Sequence, residues 1–348
     1  MAMTAIADRM IGTDQPCYVI LEIGNNHDGS VDQAKLLIAE AKQAGADAVK
    51  FQTFRAKDIV RPNLLASEIL EWNVSDRYTY WYEFVQTLEL PWESYDALIE
   101  FTHDQGLAFV STAASIEAVL FLAEKRVDAL KVASMDLDNH PLLHAVRKTG
   151  LPVVLSTGMG TIQEIDEAVA ILEDLPLALL HCVSIYPVDA KSANLRNISM
   201  LAERYPVPVG LSDHSLGTSL PIAAVALGAC LVEKHFTLSR STSSIAEHHF
   251  SIEPDEARQL IEAVRSVEAA LGSHERSLSG AELDNRERYR RSVVVVRDLG
   301  RGHTLGPDDL TCVRPADGLS PKYLEDVVGR TLRRDLKCWE SLKRDDIQ

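Results

Sequence analysis

Residues 230–237 read "CLVEKHFT". An apolar run that begins near residue 224 ends there in three consecutive ionisable side chains, Glu233, Lys234 and His235. Charges are seldom stacked at the end of a core strand for packing reasons. The segment therefore predicts a buried strand whose far end opens on a polar site.

Seven further segments have the same character: "CYVILEIG" (17–24), "AVKFQT" (48–53), "LAFVST" (107–112), "ALKVAS" (129–134), "PVVLST" (152–157), "LALLHC" (177–182) and "VPVGLSDH" (207–214). Each precedes a helical pattern. "SVDQAKLLIAEAKQAG" has apolar spacing near 3.6 and a terminal glycine, "TIQEIDEAVAILED" starts on a Thr with Glu three residues later, and "PDEARQLIEAVRSVEAALG" closes the series. Eight strands each followed by a helix predict an α/β fold of the (β/α)8 TIM-barrel type. A doubly wound open sheet would place a glycine-rich phosphate turn after the first strand, and "EIGNNHDGS" lacks one. The polar stretch 272–290 breaks the pattern. We assign 1–275 to the barrel, 276–290 to a linker with some helix, and 291–348, with its short strands and Gly/Pro turns, to a small β-rich module.

Composition bounds the function. Of 348 residues, 46% are hydrophobic, no apolar run is long enough to cross a bilayer, and the first residues do not read as a signal peptide. The formal net charge of −16 argues against nucleic acid and acidic membrane surfaces as partners. The charge is uneven: 291–348 carry eleven basic and ten acidic residues, so the acidity lies in the barrel. Five scattered cysteines without a CxxC suggest neither a disulfide framework nor a zinc knuckle, and point to a reducing, cytoplasmic setting.

In a barrel the C-terminal strand ends form the active face. These ends supply Glu22, Lys50, Gln52, Ser111, Thr112, Lys131, Ser134, Ser156, Thr157, His181, Cys182, Ser212, Asp213, His214, Glu233, Lys234 and His235. His214 and His235 end adjacent strands, and two neutral imidazoles so placed can chelate one divalent ion. The alternative is that each satisfies a local hydrogen bond. Lys50 and Lys131, with several hydroxyls, suit a phosphate or a phosphate-carboxylate compound. The alternative is salt bridging to Glu22 or Glu233. Tyr186 in "SIYP" is either a pocket wall or a loop anchor.

Five stretches in this order resemble the N-acetylneuraminate (sialic acid) synthase family: "EIGNNHDGSVDQAKLLIAEAKQAGADAVKFQT", "KVASMDLDNHPLL", "PVVLSTGM", "VGLSDHSLGTSLPIAAVALGACLVEKHFTL" and "SIEPDE". The tail "RRSVVVVRDL", "TCVRP", "GLSP" and "VVGR" resembles the antifreeze-like (SAF) domain that follows the barrel in that family. The resemblance implies a transferase reaction in which the methylene carbon of phosphoenolpyruvate attacks the open-chain aldehyde of an N-acylated hexose. Water adds to C2, the C–O bond breaks, and phosphate leaves a nine-carbon 2-keto sugar acid. It implies that Glu22, His214 and His235 are catalytic, and that His214 and His235 hold Mn2+, Mg2+ or Co2+. Lys50, Thr112, Lys131, Ser134, Ser156, Ser184 and Ser212 would hold phosphoenolpyruvate. Gln52, Asp136, Tyr186, Glu247 and Arg314 would face the sugar. Arg314, in "VRP", matches the arginine that one subunit's small domain lends to the other subunit's barrel, which implies a domain-swapped homodimer.

The departures fall on the sugar elements. In "SSIAEHHFSIEP", Glu247 replaces an aspartate, Phe250 adds bulk, and one extra residue separates His235 from Glu247. This form is closer to the pseudaminic acid synthase pattern. "STAAS" replaces Ser-Thr-Pro-Phe, "SMD" replaces Ser-Gly-Asp/Glu, and Ser184 stands where some members have Asn. The substrate expected is therefore N-acetylmannosamine-like or a 2,4-diacylamino-6-deoxy sugar. Competing readings are a metal-dependent barrel isomerase or hydrolase of a sugar phosphate, and a non-catalytic sugar-binding protein.

Overall fold

In the computed structural model, which describes residues 3–69, 77–241, 245–273 and 275–348, eight parallel strands close into one barrel. A hairpin of β1 (Met3–Ile6) and β2 (Arg9–Gly12) precedes them. The barrel strands are β3 (Tyr18–Gly24), β4 (Ala48–Thr53), β5 (Ala108–Ala113), β6 (Ala129–Val132), β7 (Val153–Ser156), β8 (Leu177–Cys182), β9 (Val209–Asp213) and β10 (Leu231–His235). β10 pairs with both β9 and β3, which closes the ring. All eight expected strands are present, and the fold is the TIM barrel.

Local sequence explains the helices. Val31–Ala44 begins where the Ser30 side chain accepts from Gln33 N, and ends at Gly45 in the left-handed region. Ile162–Leu172 begins with a reciprocal capping box between Thr161 and Glu164. Such caps satisfy the free N–H groups of a first turn and contribute about 1 kcal/mol each. Pro254–Leu271 buries Ala257, Leu260, Ile261 and Val264.

Side chains alternate across each barrel strand. Val19, Leu21, Val49, Phe51 and Leu130 pack outward under the helices. Tyr18, Ile20, Ala48, Val110, Ala129, Val154, Ala178 and Leu231 fill the barrel interior. Ile6 and Ile11 of the hairpin join that interior set, so β1 and β2 form its apolar floor. This hairpin is absent from the sequence reading, because four-residue strands leave little periodicity to detect. Gly210 on β9 is required by close approach: a Cβ there would lie 2.3 Å from the Leu231 carbonyl oxygen.

The chain divides into two units, Met1–Gly272 and Ser273–Gln348. The second begins with the helix Gly280–Tyr289, within the stretch assigned as a linker, and continues into the antiparallel pair β11 (Ser292–Val295) and β12 (Leu310–Val313). Its own core contains Val293, Val295, Leu305, Leu332, Leu336 and Leu342. Residues 242–244, which include the first two residues of "SSIAEHHF" (243–250), and residue 274 lie outside the described residues. Among the described residues, no helix is long and apolar enough to cross a membrane.

Candidate active site at the C-terminal mouth of the barrel

The alternation that builds the core also selects the site. Above the apolar layers the inward positions become polar, and Glu22, Lys50, Gln52, Thr112, Lys131, Ser156, Cys182, Ser212, His214, Glu233 and His235 line one cavity of about 660 Å³. The loops after the strands add Asn25, Ser134, Ser184, Tyr186, Glu247 and Phe250. The intervening residues turn away, so several strand-end groups read as mouth residues are not there. Ser111 pairs with Thr53, His181 with the Ala193 carbonyl, and Lys234 with Asp213. The physical reason is the two-residue period of a strand. In "VEKHF" only Glu233 and His235 reach the cavity.

One wall is an anion-type environment. Lys50 Nζ is 2.6 Å from Glu22, 3.7 Å from Glu233 and 3.2 Å from Thr112 Oγ1. Lys131 Nζ is 3.9 Å from Glu233 and donates to the Val132 carbonyl at 3.3 Å. Glu233 accepts from Ser212 Oγ at 2.8 Å. Burial pushes the Glu233 carboxyl up, but Lys131 and Lys50 outweigh it and hold the group below its ordinary range. Burial pulls Lys131 below the usual lysine value despite Glu233. For Lys50, burial also pulls downward, yet Glu22 and Glu233 raise it above that value. Within this wall Ser156 Oγ is buried without a hydrogen-bond partner among the described residues. Orphaned polar atoms at a cavity surface are costly unless something else completes them. Ser134 Oγ accepts from Gly158 N at 2.9 Å, and a Cβ on Gly158 would fall 2.5 Å from Ser184 Oγ, so this glycine lets the two hydroxyl loops close together.

The ends of β9 and β10 carry the histidines. The rings of His214 and His235 are 5.3 Å apart. His214 Nδ1 lies 3.0 Å from the Val183 carbonyl oxygen, and His235 Nδ1 lies 2.9 Å from Glu247 Oε1. A carbonyl or carboxylate oxygen can only accept, so each Nδ1 carries a proton, and in the neutral imidazole that leaves the Nε2 lone pair free. That is the tautomer a metal ligand needs, with the outer oxygen fixing the ring. Ligand atoms of Glu22, His235 and Glu247 also lie within 4.8 Å of one another. The cavity wall carries three carboxylates, Glu22, Glu233 and Glu247, against the two ammonium groups. A divalent cation would reverse that balance in favour of an anionic ligand. The residues present thus fit such an ion.

Glu247, expected at the sugar, is held by protein donors: the Asn25 backbone N–H and side-chain amide, each at 3.2 Å, and His235. Burial pushes its carboxyl up, but His235 and Asn25 bring it below the ordinary value. Gly24 makes the room: it sits at φ +52°, and a Cβ there would lie 1.8 Å from Glu247 Oε1. Gln52 donates to Glu22 at 2.8 Å. The Tyr186 ring tilts against His214 with centroids 4.2 Å apart, and the Phe250 ring centroid lies 5.2 Å from that of Tyr186 and 5.1 Å from that of His235, forming an apolar wall.

Asp136 lies outside the cavity, and Arg314 is described within its own unit. Asp136, at the end of the turn Ser134–Asp136, accepts from Asn139 at 2.9 Å and is not part of the cavity lining. Arg314 belongs to the second unit, where its guanidinium stands 5.2 Å over the Tyr289 ring. The sequence reading assigned no role to Asn25 or Cys182 and left Glu233 as a strand-end charge. Counting back two from His235 reaches Glu233, and Asn25 follows directly on β3.

Comparison with known proteins agrees with this layout. The NeuB family matches residues 37–276, and the SAF domain matches residues 290–348. The chain is 36% identical to the N,N'-diacetyllegionaminic acid synthase of Legionella pneumophila over 97% of its length and 96% of that protein. It is 34% identical to a pseudaminic acid synthase of Campylobacter jejuni, covering 97% and 98% of the two chains. Among solved structures, the N-acetylneuraminic acid (sialic acid) synthetase from Leptospira borgpetersenii superposes with a TM-score of 0.73 at 32% identity, covering 82% of this chain and 96% of that one.

Proposed function

The chain belongs to the NeuB family and ends in a SAF domain, and on that premise we propose that it condenses phosphoenolpyruvate with an N-acylated hexose to give a nine-carbon 2-keto sugar acid and phosphate. The observation that carries the reading is the convergence, in one cavity, of Lys50, Lys131 and a set of hydroxyls with the His214–His235 pair. An isomerase or hydrolase would use the histidines and leave the lysine wall without a purpose.

In this reading Lys50, Lys131, Thr112, Ser134, Ser156, Ser184 and Ser212 bind the phosphate and carboxylate of phosphoenolpyruvate. The orphaned Ser156 hydroxyl gains its missing partner on binding. Glu22, fixed between Lys50 and Gln52, holds a sugar hydroxyl or moves a proton at the reacting aldehyde. A divalent cation on His214 and His235 (Mn2+, Mg2+ or Co2+) supplies a Lewis acid for the aldehyde oxygen. The new C–C bond joins the methylene carbon to the aldehyde carbon. Water adds to C2 and the C–O bond to phosphate breaks, so phosphoenolpyruvate, sugar and water balance keto acid and phosphate.

The sugar side favours a less hydroxylated partner. Phe250 and Tyr186 present apolar surface, and Glu247 already spends its oxygens on Asn25 and His235. We therefore place a 2,4-diacylamino-6-deoxy hexose ahead of N-acetylmannosamine. Arg314 would reach the acylamino group in the barrel of a second copy, in a domain-swapped homodimer. All five cysteines are free thiols, which suits a reducing compartment, and we place the reaction in the cytoplasm. The test is phosphate release from phosphoenolpyruvate that depends on an added acylamino hexose. Release that is indifferent to the sugar would contradict the proposal.

A further inference from the structure

Behind the histidines, on the outer face of the same two strands, lies a charge pair that the reaction does not use. Asp213 and Lys234 are register partners across β9 and β10. Lys234 is 0% exposed and Asp213 is 3% exposed, and Nζ lies 2.5 Å from Oδ2. Lys234 Nζ also donates to the Ser215 carbonyl. Asp213 in turn accepts from Ser215 N at 3.1 Å and from Ser215 Oγ at 2.9 Å.

This network has a specific position. Asp213 and Ser215 flank His214 in the chain, and both are tied to Lys234, whose own neighbour is His235. One buried ammonium, on the residue next to His235, thus holds the Asp213 carboxylate on one side of His214 and the Ser215 carbonyl on the other. A buried ion pair is a poor source of stability, since well-packed apolar residues of similar volume do as well or better. What it does supply is a fixed geometry, because charges in a dry environment tolerate few arrangements of their partners.

We propose that Lys234 and Asp213 are a positioning pair that holds His214 and His235 at the spacing a shared divalent ion requires. The inference rests on the metal reading above. Neither residue touches substrate; both act through the histidines next to them in the chain.

The test is Mn2+ binding to the metal-stripped full-length chain, followed by electron paramagnetic resonance of free Mn2+. The variant combines Lys234→Met with Asp213→Asn, which removes both charges together and keeps an acceptor for Ser215. It should fold with a Tm near that of the wild type, yet bind Mn2+ weaker by about tenfold or more, the scale seen when groups that orient metal ligands are lost. Turnover should fall through kcat, with the KM for phosphoenolpyruvate at the wild-type value. Ser215→Ala, a milder change that removes one donor to Asp213, should weaken Mn2+ binding in the same direction, and it decides the matter if the double variant does not fold. Wild-type Mn2+ affinity in the folded double variant, or in Ser215→Ala where the double variant is unfolded, overturns the positioning role. A wild-type chain that binds no Mn2+ overturns the metal reading itself, and this inference with it.

Discussion

His235 donates from Nδ1 to Glu247 Oε1 at 2.9 Å, and Glu247 is held in turn by Asn25 of the loop that follows β3. The carboxylate fixes the ring, selects its tautomer and raises the basicity of Nε2. Chelation should therefore abolish turnover, and Mn2+, Co2+ or Mg2+ should restore it. Glu247→Gln should weaken metal affinity by about 10–100-fold, and His235→Ala should lower affinity and turnover together. Calorimetric metal titration beside a steady-state assay reads both. Full activity in a chelated sample would sink this assignment.

Lys50 and Lys131 face the cavity from β4 and β6, with Glu233 between them. Loss of either ammonium removes a charge-assisted contact to an anionic ligand in a buried site, worth on the order of 2–4 kcal/mol. Lys50→Ala and Lys131→Ala should each depress kcat/KM for phosphoenolpyruvate accordingly. Wild-type kinetics in both variants would make the lysines structural and move the anion site elsewhere.

Much of this arrangement is legible in the sequence, and the exceptions have a common cause. Each barrel strand is a short apolar run with a polar end, so β3 to β10 can be read directly. Which polar residues point inward follows from the two-residue period, and applying it from His235 separates Glu233 from Lys234. What no local pattern reveals is pairing between distant segments. Asn25 and Gly24 are explained only by Glu247, more than 200 positions later, and Ile6 and Ile11 only by the barrel floor they fill. Asp136 shows the converse: its neighbour Ser134 lines the cavity, but the turn directs the carboxylate to Asn139.

Phe250 packs edge-on against His235 and tilts against Tyr186. An apolar wall does little to reject a hydroxyl by itself, but a hydroxyl left without a partner is strongly disfavoured. N-acetylmannosamine should be a poor substrate and a 6-deoxy diacylamino hexose a better one, compared by kcat/KM in the same assay. Phe250→Ser should narrow that gap. High efficiency with N-acetylmannosamine alone would reverse the reading of this loop.

Arg314 offers a planar guanidinium fork that Lys cannot fully copy at a carbonyl oxygen. Arg314→Ala should act on the sugar KM and on kcat and leave phosphoenolpyruvate binding nearly unchanged. If the site is shared between subunits, mixing the Arg314→Ala and His235→Ala chains should regenerate one competent site per hybrid dimer. Subunit exchange followed by a phosphate-release assay measures it. A verified hybrid with no recovered activity would return the second unit to a role within its own chain.

The chemistry itself is best tested with phosphoenolpyruvate carrying 18O at the oxygen that bridges C2 and phosphorus. Incubated with Mn2+ and a 2,4-diacylamino-6-deoxy hexose, the protein should release phosphate that retains the label, together with an equimolar nine-carbon 2-keto acid whose C2 oxygen comes from water. Label left on the carbon product would mean that the P–O bond breaks instead, and with it the proposed condensation would fall.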